Sequence, residues 1–232
     1  MWLSKRLGEY YSRLYVRFGQ ELFTFNEAAD ALSLDKNSLS VAFSKLHSKR
    51  ALLIFNREKP RVYRLLDPEN FVFLASGTVK NFDRIRQERY LKLILDCIRA
   101  VKKTLELGSF AVYGSVARGD ATDRSDVDIL IISDSLKGSL GARIEELLPV
   151  EYMLAEELKW LRERGTYTPL SFYPLKKNEA KMLPLLFLDL TEEAVILYDE
   201  GCFLESLLLD LKARLLRCGA KKFTVDMKWY WD

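Results

Sequence analysis

The sequence is poor in the residues on which several common chemistries depend. Histidine occurs once, as His47, and the three cysteines, Cys97, Cys202 and Cys218, are odd in number and far apart within apolar helical patterns. A histidine-based catalytic triad, a zinc site and a disulfide framework are therefore not expected. The cysteines are better explained as reduced thiols of a cytoplasmic protein.

Long apolar runs and a strong charge of one sign are also missing. No window approaches the roughly 18 uncharged apolar residues of a membrane-spanning helix, and no signal peptide begins the chain, so we expect no membrane association. The net charge of +3 is too small to establish a polyanionic partner. Residues 1–75 nevertheless contain 12 Lys or Arg against 8 Asp or Glu, so this third is the better candidate for nucleic-acid binding.

Length and composition favour two packed domains. The chain has 232 residues, of which 49% are hydrophobic, which exceeds one average domain and falls short of three. We expect the boundary between them near residues 68–80. We therefore predict one domain over residues 1–75 and a second over residues 76–232.

The first domain carries the signals of two capped helices and a hairpin. Thr24 and Glu27 have capping-box spacing, and Asp35 can cap a second helix over residues 36–50. Two apolar runs, residues 51–55 and 61–66, flank a basic turn and predict a two-stranded wing. Together these features resemble a winged helix-turn-helix domain.

A winged helix implies DNA binding through its second helix and its wing. The helix enters the major groove, and the wing contacts phosphates or the minor groove. The side chains that would make these contacts are Lys36, Asn37, Ser40, Ser44, Lys45, Arg57, Lys59 and Arg61. The alternative is a protein-docking module whose charges are ordinary solvated surface. His47, in the same helix, is expected at the rim or on a phosphate rather than in catalysis.

The second domain alternates helical patterns with short buried-strand patterns. We predict helices over residues 78–107, 141–164 and 202–217, and strands over residues 109–114, 127–133, 170–175 and 194–199. The expected class is α+β, close to α/β.

One segment of this domain is specific. Residues 110–132 read FAVYGSVARGDATDRSDVDILII, in which Gly-Ser follows an apolar strand and Asp-x-Asp begins the next one. This segment resembles the signature of the minimal nucleotidyltransferases in the DNA polymerase beta superfamily. The resemblance implies a small mixed sheet flanked by helices and a transfer of nucleoside monophosphate from an NTP to a hydroxyl.

The residue types agree with that chemistry. Asp126 and Asp128 lie two apart on a strand, so both project from one face, where they can act catalytically by holding Mg²⁺ or Mn²⁺. Gly114 and Ser115 would contact the phosphates of the NTP, and Arg118 and Arg124 would neutralise them. The alternative is a plain turn followed by strand-edge acids.

The sequence departs from the family at the third carboxylate that the resemblance implies. The strand that should carry it, LSFYPL at residues 170–175, has no acid. Glu151 and Asp189 are the nearest alternatives, and both are better explained as structural. We therefore expect either a Mg²⁺-dependent nucleotidyltransferase or a nucleotide-sensing regulator or antitoxin with little turnover.

The expected partners follow from these two hypotheses. An NTP, ATP foremost, and DNA are expected ligands. Related minimal nucleotidyltransferases, such as the antitoxins that adenylylate a partner toxin, imply a protein acceptor. Trp229, Tyr230 and Trp231 could pack against a second copy of the chain in a homodimer, or stack a base.

Overall fold

The computed structural model describes residues 2–220, 222–225 and 228–231, with residues 224, 225 and 228–231 described by their backbone alone. The chain forms two compact units, Met1–Val79 with Gln87–Asp96, and Lys80–Arg86 with Cys97–Asp232. Each unit combines helices with a small sheet, which confirms the predicted α+β class. Independent folding of residues 1–75 and 76–232 stays a prediction, and the structure groups residues 87–96 with the first unit.

The first unit combines four helices with a three-stranded antiparallel sheet in the order β1-β3-β2. Its elements are α1 (Lys5–Phe18), β1 (Phe23–Thr24), α2 (Phe25–Leu32), α3 (Lys36–Ser48), β2 (Leu52–Asn56), β3 (Val62–Leu65) and α4 (Pro68–Ala75).

Both predicted helix caps are present in this unit. The N–H of Glu27 donates to Oγ1 of Thr24, and the N–H of Thr24 donates to the Glu27 carboxylate at 2.7 Å. The Asp35 carboxylate accepts from the N–H groups of Asn37 and Ser38. These caps satisfy backbone donors that the first turn of a helix leaves free, so they fix where α2 and α3 begin.

Aromatic rings form the centre of this core. Phe23 is buried, stacks on Phe18 with ring centroids 4.5 Å apart, and meets Phe43 edge to face. Phe43 in turn meets Tyr63 of β3 edge to face, with ring centroids 4.9 Å apart. Such pairs add about 0.5–1.5 kcal/mol each beyond burial, and they hold α3 against the sheet.

A buried carboxylate links residues 87–96 to the rest of the first unit. The Glu88 side chain is 3% exposed and accepts hydrogen bonds from His47 Nε2 at 2.8 Å, Arg50 at 3.2 Å and the Ile54 N–H at 2.8 Å. Burial alone would raise its pKa, but the bonds from His47 and Ile54 and the charges of His47 and Arg50 lower it. His47 thus has a structural partner within its own unit, and its predicted rim or phosphate contact stays a prediction.

The helix predicted over residues 78–107 forms over only part of that range. Only α5 (Leu91–Thr104) is α-helical, and two short 3-10 turns, Phe82–Arg84 and Glu88–Tyr90, precede it. Asn81 adopts positive φ and Ile85 is extended, because burying Phe82 and Ile85 outweighs helical continuity here.

The second unit adds the remaining elements to the end of α5. These are β4 (Ser109–Tyr113), α6 (Gly114–Arg118), β5 (Val127–Ile132), α7 (Leu140–Glu146), α8 (Leu148–Glu163), β6 (Leu170–Leu175), α9 (Lys177–Ala180), α10 (Leu186–Glu193), β7 (Val195–Asp199), α11 (Phe203–Cys218), β8 (Lys222–Val225) and β9 (Lys228–Trp231).

Four strands of this unit form a mixed sheet in the order β6-β5-β4-β7. The pair β5 and β6 is parallel, and β4 is antiparallel to β5 and β7. Leu130 and Ile132 of β5 pack in one buried cluster with Phe187 of α10 and Leu204 of α11. Because side chains alternate along a strand, Asp128 projects from this same face of the sheet.

The C-terminal hairpin pairs β8 with β9 antiparallel, with Lys222 opposite Trp231. The side chains of Trp229, Tyr230 and Trp231 lie outside the described residues, so the predicted packing or stacking role stays a prediction. Among the described helices, none combines the length and apolar character needed to cross a membrane.

Replacing Glu88 with Gln should destabilise the full chain by roughly 2–3 kcal/mol, because a neutral amide cannot match a carboxylate that accepts from three donors, one of them the Arg50 guanidinium. The folded-state pKa of Glu88 lies below its usual 4.5. Its stabilisation is therefore present above pH 4.5 and is lost as the pH falls through the folded pKa. Urea unfolding from pH 3 to pH 7 measures both effects, with exposed Glu9→Gln as the control. Equal pH slopes for E88Q and wild type would contradict this.

Candidate functional site

A glycine and a carboxylate meet where β4 ends. Tyr113, the last residue of β4, pairs with Asp128 of β5, and Gly114 follows with φ of 68°. A Cβ on Gly114 would collide with Oδ2 of Asp128 and lie 3.2 Å from its Cγ. Two independent constraints, left-handed backbone and close approach, therefore require glycine here.

A structured turn presents the second carboxylate. Gly119 ends α6 with φ of 86° and lies against the Arg86 side chain. The hydroxyl of Ser125 accepts from the N–H of Thr122 at 2.9 Å, and the N–H of Ser125 donates back to the Thr122 carbonyl. This closed turn directs the chain into β5 and leaves Asp126 exposed at its start.

The two aspartates repel each other in a half-buried setting. Burial, together with the negative charge of Asp126, raises the pKa of Asp128 to about 6. Glu193 raises it further, whereas a hydrogen bond from Ser171 and the charge of Arg118 lower it. A positive charge close to the two carboxylates would therefore stabilise them at neutral pH.

Ser171 occupies the place where the family resemblance implies a third acid. In the parallel pairing of β5 with β6, Ser171 stands directly opposite Asp128, and its hydroxyl donates to the Asp128 carboxylate. Within the described part of the chain, no three His, Cys, Asp or Glu side chains are grouped so that they could hold a metal ion. The site therefore offers two carboxylates and a hydroxyl.

Arg118 has an acidic partner that sequence reasoning missed. Its guanidinium donates to Glu193, the last residue of α10, at 2.7 Å, and to Asp120 at 3.2 Å. Hydrogen bonds from Arg118 to Glu193 and Asp120 outweigh the effect of burial and raise the pKa of Arg118. Glu193 lies 75 residues along the chain, and only the packing of α10 on the sheet brings it here.

The other predicted residues of this unit are more dispersed. Ser115 lies in α6 directly after Gly114, and its carbonyl accepts from the N–H groups of Gly119 and Asp120. Arg124 is exposed in the turn before Asp126, and within the described residues no hydrogen bond or ion pair joins it to either aspartate. Asp189 lies in α10 and pairs with Lys222 at 2.8 Å, as expected of a structural acid.

The residues predicted to bind DNA belong to the first unit. All eight are exposed, with Lys36, Asn37, Ser40, Ser44 and Lys45 on α3, and Arg57, Lys59 and Arg61 in the turn between β2 and β3. The core-facing side of α3 carries the buried Leu39, Phe43 and Leu46. The Arg57 side chain is 70% exposed and forms a long ion pair with Glu88 at 3.9 Å.

The fold places an apolar strand, a glycine turn and two carboxylates at one end of a mixed sheet. Residues 77–186 match the nucleotidyltransferase domain family. The match covers a little under half of the chain, and it supports a nucleotidyltransferase-like segment, while the finer resemblance to the minimal nucleotidyltransferases stays a prediction. No curated protein matches the chain by sequence.

Several solved structures resemble part of the chain. A toxin–antitoxin complex with AMP-PNP is 15% identical, with a TM-score of 0.35, over 53% of this chain and 90% of that one. A mutant of the toxin–antitoxin MntA-HpeT is 14% identical, with a TM-score of 0.36, over 52% of this chain and 85% of that one. A candidate nucleotidyltransferase from Sulfolobus solfataricus is 23% identical, with a TM-score of 0.30, over 50% of this chain and 86% of that one.

The oxygen donors at this end of the mixed sheet fit a divalent cation. Mg²⁺ is commonly held by one or two carboxylates, with water and substrate phosphates completing its shell. Asp126 and Asp128 would be its ligands here, and its positive charge would oppose the burial and the Asp126 charge that together raise the Asp128 pKa.

Replacing Gly114 with Ala should destabilise the chain by more than about 2 kcal/mol, because a side chain must adopt positive φ and displace the Asp128 carboxylate. Gly8→Ala is the matched control, since Gly8 lies inside α1 and a Cβ there would meet no atom within 4 Å. That control should gain about 0.5–1 kcal/mol from helix propensity. Thermal unfolding of both variants measures the difference, and a stable G114A would refute the close approach.

Proposed function

We propose that the chain is a Mg²⁺-dependent nucleotidyltransferase that moves a nucleoside monophosphate from an NTP, ATP foremost, to a hydroxyl. The observation that carries the proposal is the meeting of Gly114 with Asp128 beside Asp126. The family match of residues 77–186 supports the same class of reaction. A protein, a nucleic acid or a small molecule each offers a suitable hydroxyl.

The chain's own residues account for binding and charge neutralisation. Asp126 and Asp128 hold the cation, which supplies Lewis-acid stabilisation of phosphate charge when bound. Gly114 and Ser115 approach the triphosphate with backbone N–H groups, and Arg118, oriented by Glu193, faces its negative charge. Arg124 extends from the turn before Asp126 and can approach the leaving pyrophosphate from solvent.

The transfer itself exchanges one phosphorus–oxygen bond for another. The acceptor oxygen attacks the α-phosphorus, and the bond from that phosphorus to the bridging oxygen of the β-phosphate breaks. Pyrophosphate leaves with the electron pair, and the hydroxyl proton passes to water. Positioning and electrostatics supply most of the catalysis in such reactions.

A second function is favoured by Ser171. With a hydroxyl opposite Asp128, no carboxylate from β6 can help to deprotonate the acceptor. A site of this kind binds a metal–nucleotide complex with little turnover, and the chain would then act as a nucleotide-sensing regulator or antitoxin.

The first unit is proposed as a winged helix that binds DNA and tethers the transferase. Its order of helices and strands and the exposure of the eight polar side chains on α3 and in the wing support this assignment. The wing turn carries Arg57, Lys59 and Arg61, three positive charges within five residues.

The transferase proposal predicts a covalent product. Purified protein is incubated with Mg²⁺ or Mn²⁺ and each α-³²P-labelled NTP, with and without cell lysate. We expect label transfer that EDTA abolishes and that Asp126→Asn/Asp128→Asn lowers at least about 100-fold, because the cation loses both carboxylates. Exposed Asp210→Asn on α11 is the matched control. Metal-dependent NTP binding with no transfer would establish the sensing regulator in place of the enzyme.

The winged-helix proposal predicts salt-dependent DNA binding. Fluorescence anisotropy with duplex DNA at several salt concentrations should give a steep negative slope of log affinity against log salt. Each of Lys45→Ala and Arg61→Ala should reduce that slope by about 1, the loss of one phosphate contact. Exposed Arg17→Ala in the last turn of α1 removes an equal charge elsewhere and should leave the slope unchanged. Equal effects of all three variants would contradict the assigned DNA-binding face, and the absence of salt-dependent DNA binding would favour a protein-docking module.

A further inference from the structure

A pocket of about 480 Å³ opens at the start of β6. One wall is a face of α8 that carries Glu151, Leu158 and Arg162, which are spaced by 7 and 4 residues. The other wall is the chain entering β6, with Tyr167, Thr168 and Leu170. The volume lies in the range of small-molecule sites, roughly 300–1,000 Å³.

Thr168 points to a ligand in this pocket. The residue is 6% exposed, and its hydroxyl has no hydrogen-bond partner within the described part of the chain. A buried hydroxyl left unpaired costs about 1–3 kcal/mol. A polar atom of a bound molecule would remove that cost once the pocket lining shifts enough to expose the hydroxyl.

The pocket adjoins the segment that carries the aspartates. The Tyr167 N–H donates to the Asp123 carbonyl at 2.6 Å, and the Val127 N–H donates to the Pro169 carbonyl at 2.9 Å. Leu170 pairs with Val127, the residue between Asp126 and Asp128. Both side chains therefore lie on the face of the sheet opposite to that of Asp128. A ligand in the pocket must therefore extend past the start of β6 to reach the aspartates.

In the strand order, the two aspartates lie between this pocket and Gly114. In the order β6-β5-β4, Gly114 follows β4, the aspartates begin β5, and the pocket lies at β6. In a nucleotidyl transfer the attacking and leaving oxygens lie on opposite sides of the α-phosphorus. If the leaving pyrophosphate lies at Gly114 and Ser115, the acceptor approaches from the side of β6.

The lining also specifies a chemical class. Tyr167 is 54% exposed and, with Leu158 and Leu170, offers a surface for a planar ring. Arg162 is exposed and suits a phosphate, while Glu151 and Thr168 can pair with hydroxyl or N–H groups. A ring, a phosphate and several hydrogen-bond donors occur together in a nucleotide.

We propose that this pocket is the acceptor subsite of the transferase and that it binds a nucleotide unit, either free or near the end of a strand, whose hydroxyl extends to Asp126 and Asp128. The inference rests on the proposed transfer function. A polypeptide acceptor is the competing occupant that the experiment must detect.

The test measures binding without turnover. The full chain is saturated with Mg²⁺ and a non-hydrolysable NTP analogue, then titrated with AMP by calorimetry and with a labelled hexaribonucleotide by anisotropy. Tyr167→Ala and Arg162→Ala should each weaken binding about tenfold or more, and exposed Lys159→Ala on α8 should not. Preference for AMP or for the hexanucleotide identifies a free nucleotide or a strand as the source.

Thr168→Val separates a ligand role from a structural one. Removing an unpaired buried hydroxyl should leave the melting temperature unchanged or raised, while nucleotide affinity falls several-fold. A lowered melting temperature, or wild-type affinity in all three pocket variants, overturns the proposal. The proposal is also overturned if no nucleotide binds at millimolar nucleotide concentration. This holds whether or not the variants impair labelling of a protein in lysate. Normal pocket binding without any label transfer would instead refute the transferase function.

Discussion

The close approach of the Asp128 carboxylate to the backbone of Gly114 is the contact on which the candidate site depends. It requires a residue without a side chain at the end of β4, and it brings the carboxylate to the turn where a phosphate could enter. The antiparallel pairing of β4 with β5 sets this distance. A change of one residue in register would turn Asp128 to the opposite face and separate it from Glu193 and Arg118.

The charges around this contact are arranged at some cost to the fold. Burial and Asp126 both oppose ionisation of Asp128, and Arg118 is shared among acids that include Glu193 and Asp120. A core built for stability alone would avoid such repulsion. Acids held together against their mutual repulsion are typical of sites that bind a cation, and here the burial that raises the pKa would also strengthen the attraction to the ion.

Local signals carried most of what the sequence could predict. The caps at Thr24 and Asp35, the strands of the mixed sheet and the Gly114 turn depend on residues within a few positions of one another, so spacing alone reveals them. Glu193, Ser171 and the Thr168 pocket depend on which strands and helices become neighbours, which no local pattern encodes. The helix predicted over residues 78–107 failed for the opposite reason, because its apolar spacing continued while packing of Phe82 and Ile85 broke the backbone.

Glu88 has a consequence for how this architecture could be recombined. The carboxylate that His47, Arg50 and the Ile54 backbone share arrives from residues 87–96, after the chain has already contributed Lys80–Arg86 to the second unit. The first unit is thus discontinuous in sequence. A gene fusion that cut the chain near residue 79 would transfer the helices and the sheet but leave His47, Arg50 and the Ile54 N–H without their shared acceptor, so a fusion that keeps this contact must also carry residues 87–96.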